Sequence, residues 1–238
     1  MLRINPWRPA CVRFAALACL CLIGAAPQAL DSQTVLERYA LQMSNVATPK
    51  TMIFGYSVSQ LGTTDIEQRH TIYRSGLDVR DETLSIDGIP LKPKIVTFSK
   101  RENRYAIERL APKASAYELL FLKTQRDGSH LDYIYDATPA AGAAASFAVT
   151  RVIIDGVTFL PREIDFTTEG TAARGSGKLI YGKADKYWMP MLASVEAQVN
   201  GKPARERIVW DGYRFPPALP PSTFAPPRPL PHATLPPI

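Results

Sequence analysis

Residues 149–170, VTRVIIDGVTFLPREIDFTTEG, hold four carboxylates (Asp155, Glu163, Asp165 and Glu169) among strongly apolar neighbours. They can be read as an acidic catalytic site or as a scaffold hairpin. Alternation decides between the two. Ile164 and Phe166 share one face of a period-2 segment, while Glu163 and Asp165 share the other, where water would receive them. Asp155-Gly156 tolerates the positive φ of a tight type I′ turn. Pro161 suits the first residue of the returning strand. The stretch therefore predicts a β-hairpin, with no sign of the burial that would tune a carboxylate for acid-base work.

The same period runs outward in both directions. TMIFGYSVSQ (51–60) puts Met52, Phe54, Tyr56 and Val58 on one face. Comparable runs follow in IEQRHTIYR, GLDVRDETLSI, KIVTFSK, RYAIERL, AYELLFLK, HLDYIYDA, SFAVTRVII, REIDFTT, KLIYGK, MLASVEAQV and ERIVW. Asp87-Gly88, Asp127-Gly128, Asp155-Gly156 and Asn200-Gly201 supply hairpin dipeptides between them. RLAPKASAY (109–117) admits a helical turn or a strand break, and ATPAAGAAAS (137–146) reads as a small-residue loop. One segment, DSQTVLERYALQMSNV (31–46), has helical period through Val35, Tyr39, Met43 and Val46. Thr34 and Glu37 have capping-box spacing, with Asp31 and Ser32 as alternative N-caps. The fold class expected is mainly β: an antiparallel curved sheet, an unclosed half-barrel, with an N-terminal helix covering its concave face.

The ends of the chain differ from its body. Arg3, Arg8 and Arg13, the apolar run from Phe14 to Ile23 and the small residues GAAPQA read as a secretory signal peptide over 1–29. The apolar run is too short to cross a bilayer, which needs roughly 20 residues. Cys11, Cys19 and Cys21 all lie there, so the mature chain would carry no disulfide and no thiolate metal site. The residues before Cys19 and Cys21 do not fit the lipid-attachment pattern. Removing the three arginines takes the formal charge from +6 to +3, too mild and too evenly spread for nucleic acid. Residues 30–215 then form one domain. From Pro216 to Ile238, ten of 23 residues are proline, which rules out a further strand and suggests a disordered tail.

Catalytic and cofactor motifs are weak. His70 and His130 stand sixty residues apart, without metal-ligand spacing. GTAARGSGK (170–178) resembles a phosphate loop but runs into the strand LIYGK where a helix is needed. Asp132 and Asp136 share a face of HLDYIYDA opposite Leu131, Tyr133 and Tyr135, as a solvated outer face would have it. The stronger signal is apolar: Phe54, Tyr56, Ile72, Phe98, Tyr105, Tyr117, Phe121, Tyr133, Tyr135, Phe166, Tyr181 and Trp210 recur strand after strand. One helix cannot cover a sheet this wide, so these residues are the candidates for an apolar ligand site on the concave face.

TRVIIDGVTFLPREIDF resembles the late strand pair of LolA-like proteins, the periplasmic outer-membrane lipoprotein-sorting group, through Ile154, Asp155, Thr158, Leu160 and Pro161. VLERYALQM, TMIFGYSVSQ, YRSGLDVRDE, YGKADKYWMPMLASVEAQVNG and LPPSTF follow in the order found in that family. The resemblance implies an unclosed β-barrel that holds acyl chains, is non-enzymatic and needs no cofactor. It further implies a periplasmic location, and a lipid or acylated protein as partner. An arginine that holds a lid would be Arg69, Arg74 or Arg80. The single clear helix and the proline tail depart from the family pattern. The alternative is an envelope interaction or sensor module with a filled core, contacting another envelope protein.

Overall fold

A computed structural model describes residues 29–62, 65–127, 130–140, 147–169 and 173–226. Residues 1–28 of the expected signal segment, most of the small-residue loop, Gly128 of the Asp127-Gly128 pair and the end of the tail lie outside these residues. Helix α1 (Ser32–Asn45) is followed by β1 (Thr51–Leu61), β2 (Ile66–Ser75), β3 (Asp78–Ile86) and β4 (Ile89–Lys100). After a short helix α2 (Ile107–Leu110) come β5 (Tyr117–Asp127), β6 (His130–Pro139), β7 (Phe147–Asp155) and β8 (Pro161–Glu169). The chain continues through β9 (Ala173–Ala184), β10 (Tyr187–Val199) and β11 (Lys202–Arg214). All eleven strands form one antiparallel sheet in the order β4-β3-β2-β1-β11-β10-β9-β8-β7-β6-β5, and it does not close into a barrel.

This order has a consequence for the covering of the sheet. Strands β4 and β5 are neighbours in sequence but lie at opposite edges. Residues 101–116 must therefore cross the concave face. RYAIERL, expected as a strand, belongs to this crossing segment, and Ile107–Leu110 coil into the single turn of α2. Its apolar residues pack against the sheet rather than within it: Ile107 joins the core cluster, and Tyr105 and Leu110 pack against it. The face thus has two covers, α1 and the crossing segment, where the sequence announced one.

Capping and turn chemistry fix the local geometry. Asp31 is the N-cap of α1, accepting from the Thr34 amide at 2.9 Å and the Thr34 hydroxyl at 2.6 Å, which satisfies one orphan amide of the first turn. Those bonds hold its carboxyl below the usual range. Asp87-Gly88 and Asn200-Gly201 both take positive φ at their two residues, as type I′ turns require. Asp155-Gly156 does not. There the Asp155 carboxylate accepts from the amides of Val157 (3.1 Å) and Thr158 (2.7 Å) and from the Thr158 hydroxyl (2.8 Å). The loop closes with Phe159 at φ 54°, so Asp155 shapes a wider turn through its side chain. Asp155→Ala strands two amides near a buried position and is expected to cost about 1–3 kcal/mol, read as a lower urea midpoint at unchanged slope. Asp155→Asn, which keeps an acceptor, should recover most of it; equal midpoints for Ala and wild type would refute the role.

The start of the tail lies on the convex face. The Thr51 hydroxyl donates to the Pro216 carbonyl, and Arg80 reaches the Thr223 carbonyl at 3.5 Å, within a 3-10 turn at Pro221–Phe224. The β4 edge carries Pro90, Lys92, Pro93 and Lys94, residues that discourage further strand pairing.

Candidate functional site

The concave face divides into two halves. In the first, α1 sets Val35 and Tyr39 into a core made with Tyr133, Tyr135, Val152, Ile154, Ile164, Phe166, Leu179 and Tyr181. Tyrosine hydroxyls stitch the covers to the sheet. Leu30 N donates to Tyr133 (2.8 Å), while Tyr135 donates to Ser32 O (3.0 Å), Tyr39 to Pro112 O (2.6 Å) and Tyr181 to Tyr105 O (3.2 Å). Burial raises the Tyr135 hydroxyl to about 12 and drives those of Tyr39 and Tyr181 higher still. All three remain protonated donors at any physiological pH. This half is filled.

The second half is not. Strands β2, β1, β11 and β10 and the crossing segment enclose a cavity of about 580 Å³, within the size range of ligand sites. Its floor is apolar, with Phe54, Tyr56, Ile72, Ile208, Trp210 and Tyr213. Phe54 and Tyr213 rings pack at 5.4 Å, and Tyr105 meets Trp210 edge-on at 4.8 Å. Its rim is charged, with Arg74, Asp81, Arg101, Arg104, Arg109 and Glu206. A smaller hollow of about 410 Å³ lies between α1 and β5, beside Tyr39, Met43, Tyr117 and Leu119.

The candidate residues are distributed accordingly. Phe54, Tyr56, Ile72, Tyr105 and Trp210 line the large cavity, and Tyr117 lines the smaller one. Tyr133, Tyr135, Phe166 and Tyr181 are core residues of the filled half. Phe121 sits at the β5 edge, 39% exposed, its ring edge-on to Tyr135 at 5.5 Å. Phe98 faces the other way. It stands opposite Arg80 in the β3–β4 register, on the convex side, whereas Ile95, Thr97 and Ser99 pair with the inward positions of β3. Tyr213 is on the cavity floor because a register shift between β1 and β11, with Gly212 at φ 61°, inserts residues between it and Trp210. A strict period-2 count misses it for that reason.

The polar groups have structural partners. His70 stacks on Tyr56 at 4.5 Å and contacts Asp81 at 2.8 Å through Nδ1. Burial, then the charge of Asp81, pushes the Tyr56 hydroxyl up. Asp132, expected on a solvated face, is buried; it lies beside Asp155 in the β6–β7 register and pairs with Arg162 at 3.0 Å. Glu163 and Asp165 flank Lys178, which takes Glu163 at 2.8 Å. Both are less open to water than alternation suggested, and burial and then the charge of Glu163 raise the Asp165 carboxyl. Among the described residues no group of three or more His, Cys, Asp or Glu side chains could hold a metal ion. Of the three lid-arginine candidates, Arg69 pairs with exposed Asp211 and Arg80 with Glu82 on the convex side. Arg74 alone faces inward, donating to the Arg101 carbonyl of the crossing segment at 2.6 Å.

Several solved structures are similar to this chain. A LolA superfamily protein from Nitrosomonas europaea is 9% identical, with 83% of this chain and 99% of that one covered at a TM-score of 0.43. An outer membrane lipoprotein-sorting protein domain, so described provisionally, from Vibrio parahaemolyticus is 13% identical (82% and 97% covered, TM-score 0.47). The chain is similar to LolA-superfamily structures. A DUF1329 family protein from Desulfovibrio piger is also 13% identical (81% and 96% covered, TM-score 0.45). No family model and no curated protein matches the chain. The properties of the cavity follow from its own residues.

Proposed function

We propose that this protein is a non-enzymatic binding protein or carrier for a lipid, a lipoprotein acyl chain or a similar hydrophobic ligand, held in the cavity beneath the crossing segment. One observation carries the reading. Where α1 covers the sheet the concave face is largely packed, yet under the crossing segment a hollow of about 580 Å³ remains over Phe54, Tyr56, Ile72, Ile208 and Trp210. Collapsing apolar surface onto itself lowers free energy by about 25 cal/mol per Å², so retained apolar space needs a compensating use. A filled-core sensor module accounts for only one of the two halves. The signal-peptide pattern over residues 1–29 supports a periplasmic setting. No helix among the described residues is long and apolar enough to cross a membrane. In that setting the ligand would come from a membrane lipid or an acylated envelope protein.

Native mass spectrometry of the protein purified from cells is expected to show adducts in the mass range of lipids, and solvent extraction should release acyl chains. The neutral dye N-phenyl-1-naphthylamine should brighten on titration. A homogeneous ligand-free mass together with a silent dye would overturn the reading.

A further inference from the structure

The rim of the cavity contains a cation without a counter-charge. Arg74 is 7% exposed and lines the cavity on the inner face of β2, opposite Met52 of β1. Its Nη1 donates only to carbonyls, those of Gly76 (3.2 Å) and Arg101 (2.6 Å), and its Nε is buried with no hydrogen-bond partner. Among the described residues no carboxylate lies within ion-pair distance of it. A second cation adds to the positive charge on it: Arg101, whose guanidinium is 57% exposed and reaches Asp81 only at 3.8 Å. Burying a guanidinium that lines a cavity beside a second one, with no paired carboxylate, is unfavourable unless an anion completes the site. The planar fork of Arg suits a carboxylate or phosphate. Two residue pairs further along the same strands, Phe54 and Ile72 begin the apolar floor. Charge and apolar surface therefore lie end to end in one cavity.

Resting on the lipid-binding reading above, we propose that Arg74 and Arg101 form an anion-binding head site. The cavity then selects amphiphiles with a carboxylate or phosphate head, their chain laid over Phe54, Ile72 and Trp210. Other neighbours do not supply the missing charge. Glu102 is engaged by Arg109, Asp81 by His70, and Glu206 by Gln60 at 2.6 Å.

Displacement of N-phenyl-1-naphthylamine tests this with three competitors: dodecyl phosphate, 1-dodecanol and inorganic phosphate. Dodecyl phosphate should displace the dye at about tenfold lower concentration than dodecanol, as a charge-assisted bond implies, and inorganic phosphate should not displace it at all. Arg74→Gln should bring dodecyl phosphate level with dodecanol. Because Arg74 also tethers the crossing segment, Arg101→Gln provides a second variant. Arg101 offers the tether only its main-chain carbonyl, so this variant keeps the fold and should lose a several-fold part of the preference. Equal displacement by the two dodecyl compounds in the wild type would overturn the head site while leaving lipid binding intact. Displacement by inorganic phosphate alone, or competition between it and dodecyl phosphate at equal strength, would show a free-anion site and overturn the amphiphile. A dye that never binds would sink the cavity reading itself.

Discussion

Gly177→Leu is expected to abolish the native sheet. A Cβ at this position would stand 2.4 Å from the Ser194 carbonyl of β10, 2.8 Å from the end of the Phe166 ring and 3.2 Å from the Val195 Cα. Two of these are backbone atoms, fixed by the β9–β10 ladder. The third belongs to a buried ring stacked on Phe147 at 4.9 Å. Phe166 lies opposite Gly177 in the β8–β9 register, so the missing side chain is the space the ring occupies. Gly177→Ala should cost about 1–3 kcal/mol by overpacking, and leucine should leave no cooperative thermal transition. Gly182→Ala is the control. Its Cβ meets only the flexible end of Met191, at 3.2 and 3.3 Å, and its melting temperature should stay close to the wild type. A Gly177→Leu protein melting like the wild type would mean that β9 and β10 do not approach as described.

Val58→Trp is expected to remove ligand binding while sparing the fold. Val58 lines the cavity between Gln68 of β2 and Ile208 of β11. An indole there projects into open volume rather than into packed atoms. Filling of this kind commonly adds about 0.5–2 kcal/mol of stability, so the thermal midpoint should hold or rise. Affinity for N-phenyl-1-naphthylamine should fall at least tenfold. The opposed directions matter, since a variant that simply unfolds would lose both. Wild-type dye affinity in Val58→Trp would place the ligand elsewhere, with the hollow beside α1 the next location to probe by Met43→Trp.

Much of this architecture is legible in the sequence because local chemistry and tertiary structure agree. The strands are read from their period, and Asp87-Gly88 and Asn200-Gly201 turn as their dihedral freedom dictates. Misreadings cluster where one residue serves two purposes. RYAIERL alternates apolar residues like a strand, yet it must cross the open face because β4 and β5 end up at opposite edges, and no local signal encodes that separation. Asp155 carries a turn through its side chain, so its pairing with Gly156 misleads. Phe98 was placed inward for its aromatic character. On an edge strand neither face is deeply buried, and register alone decides. The cavity floor was half visible: Met52 and Val58 share the period of Phe54 and Tyr56. Tyr213 depends on a bulge, and Arg74 on knowing which arginine turns inward.

The strand order also dictates how the molecule must assemble in time. Every ladder but one joins strands adjacent in sequence, and β1–β11 is the exception. Tyr56 pairs with Trp210 across about 150 residues of intervening chain, a closure whose entropy must be lost before its contacts form. Two meanders, β1–β4 and β5–β11, can arise independently. Their union through β1 and β11 creates the cavity floor at the same moment, since Phe54, Tyr56, Ile208 and Trp210 lie on that seam. The cavity floor therefore depends on the one long-range ladder of the sheet, and a species holding the β5–β11 meander without that ladder should lack the floor.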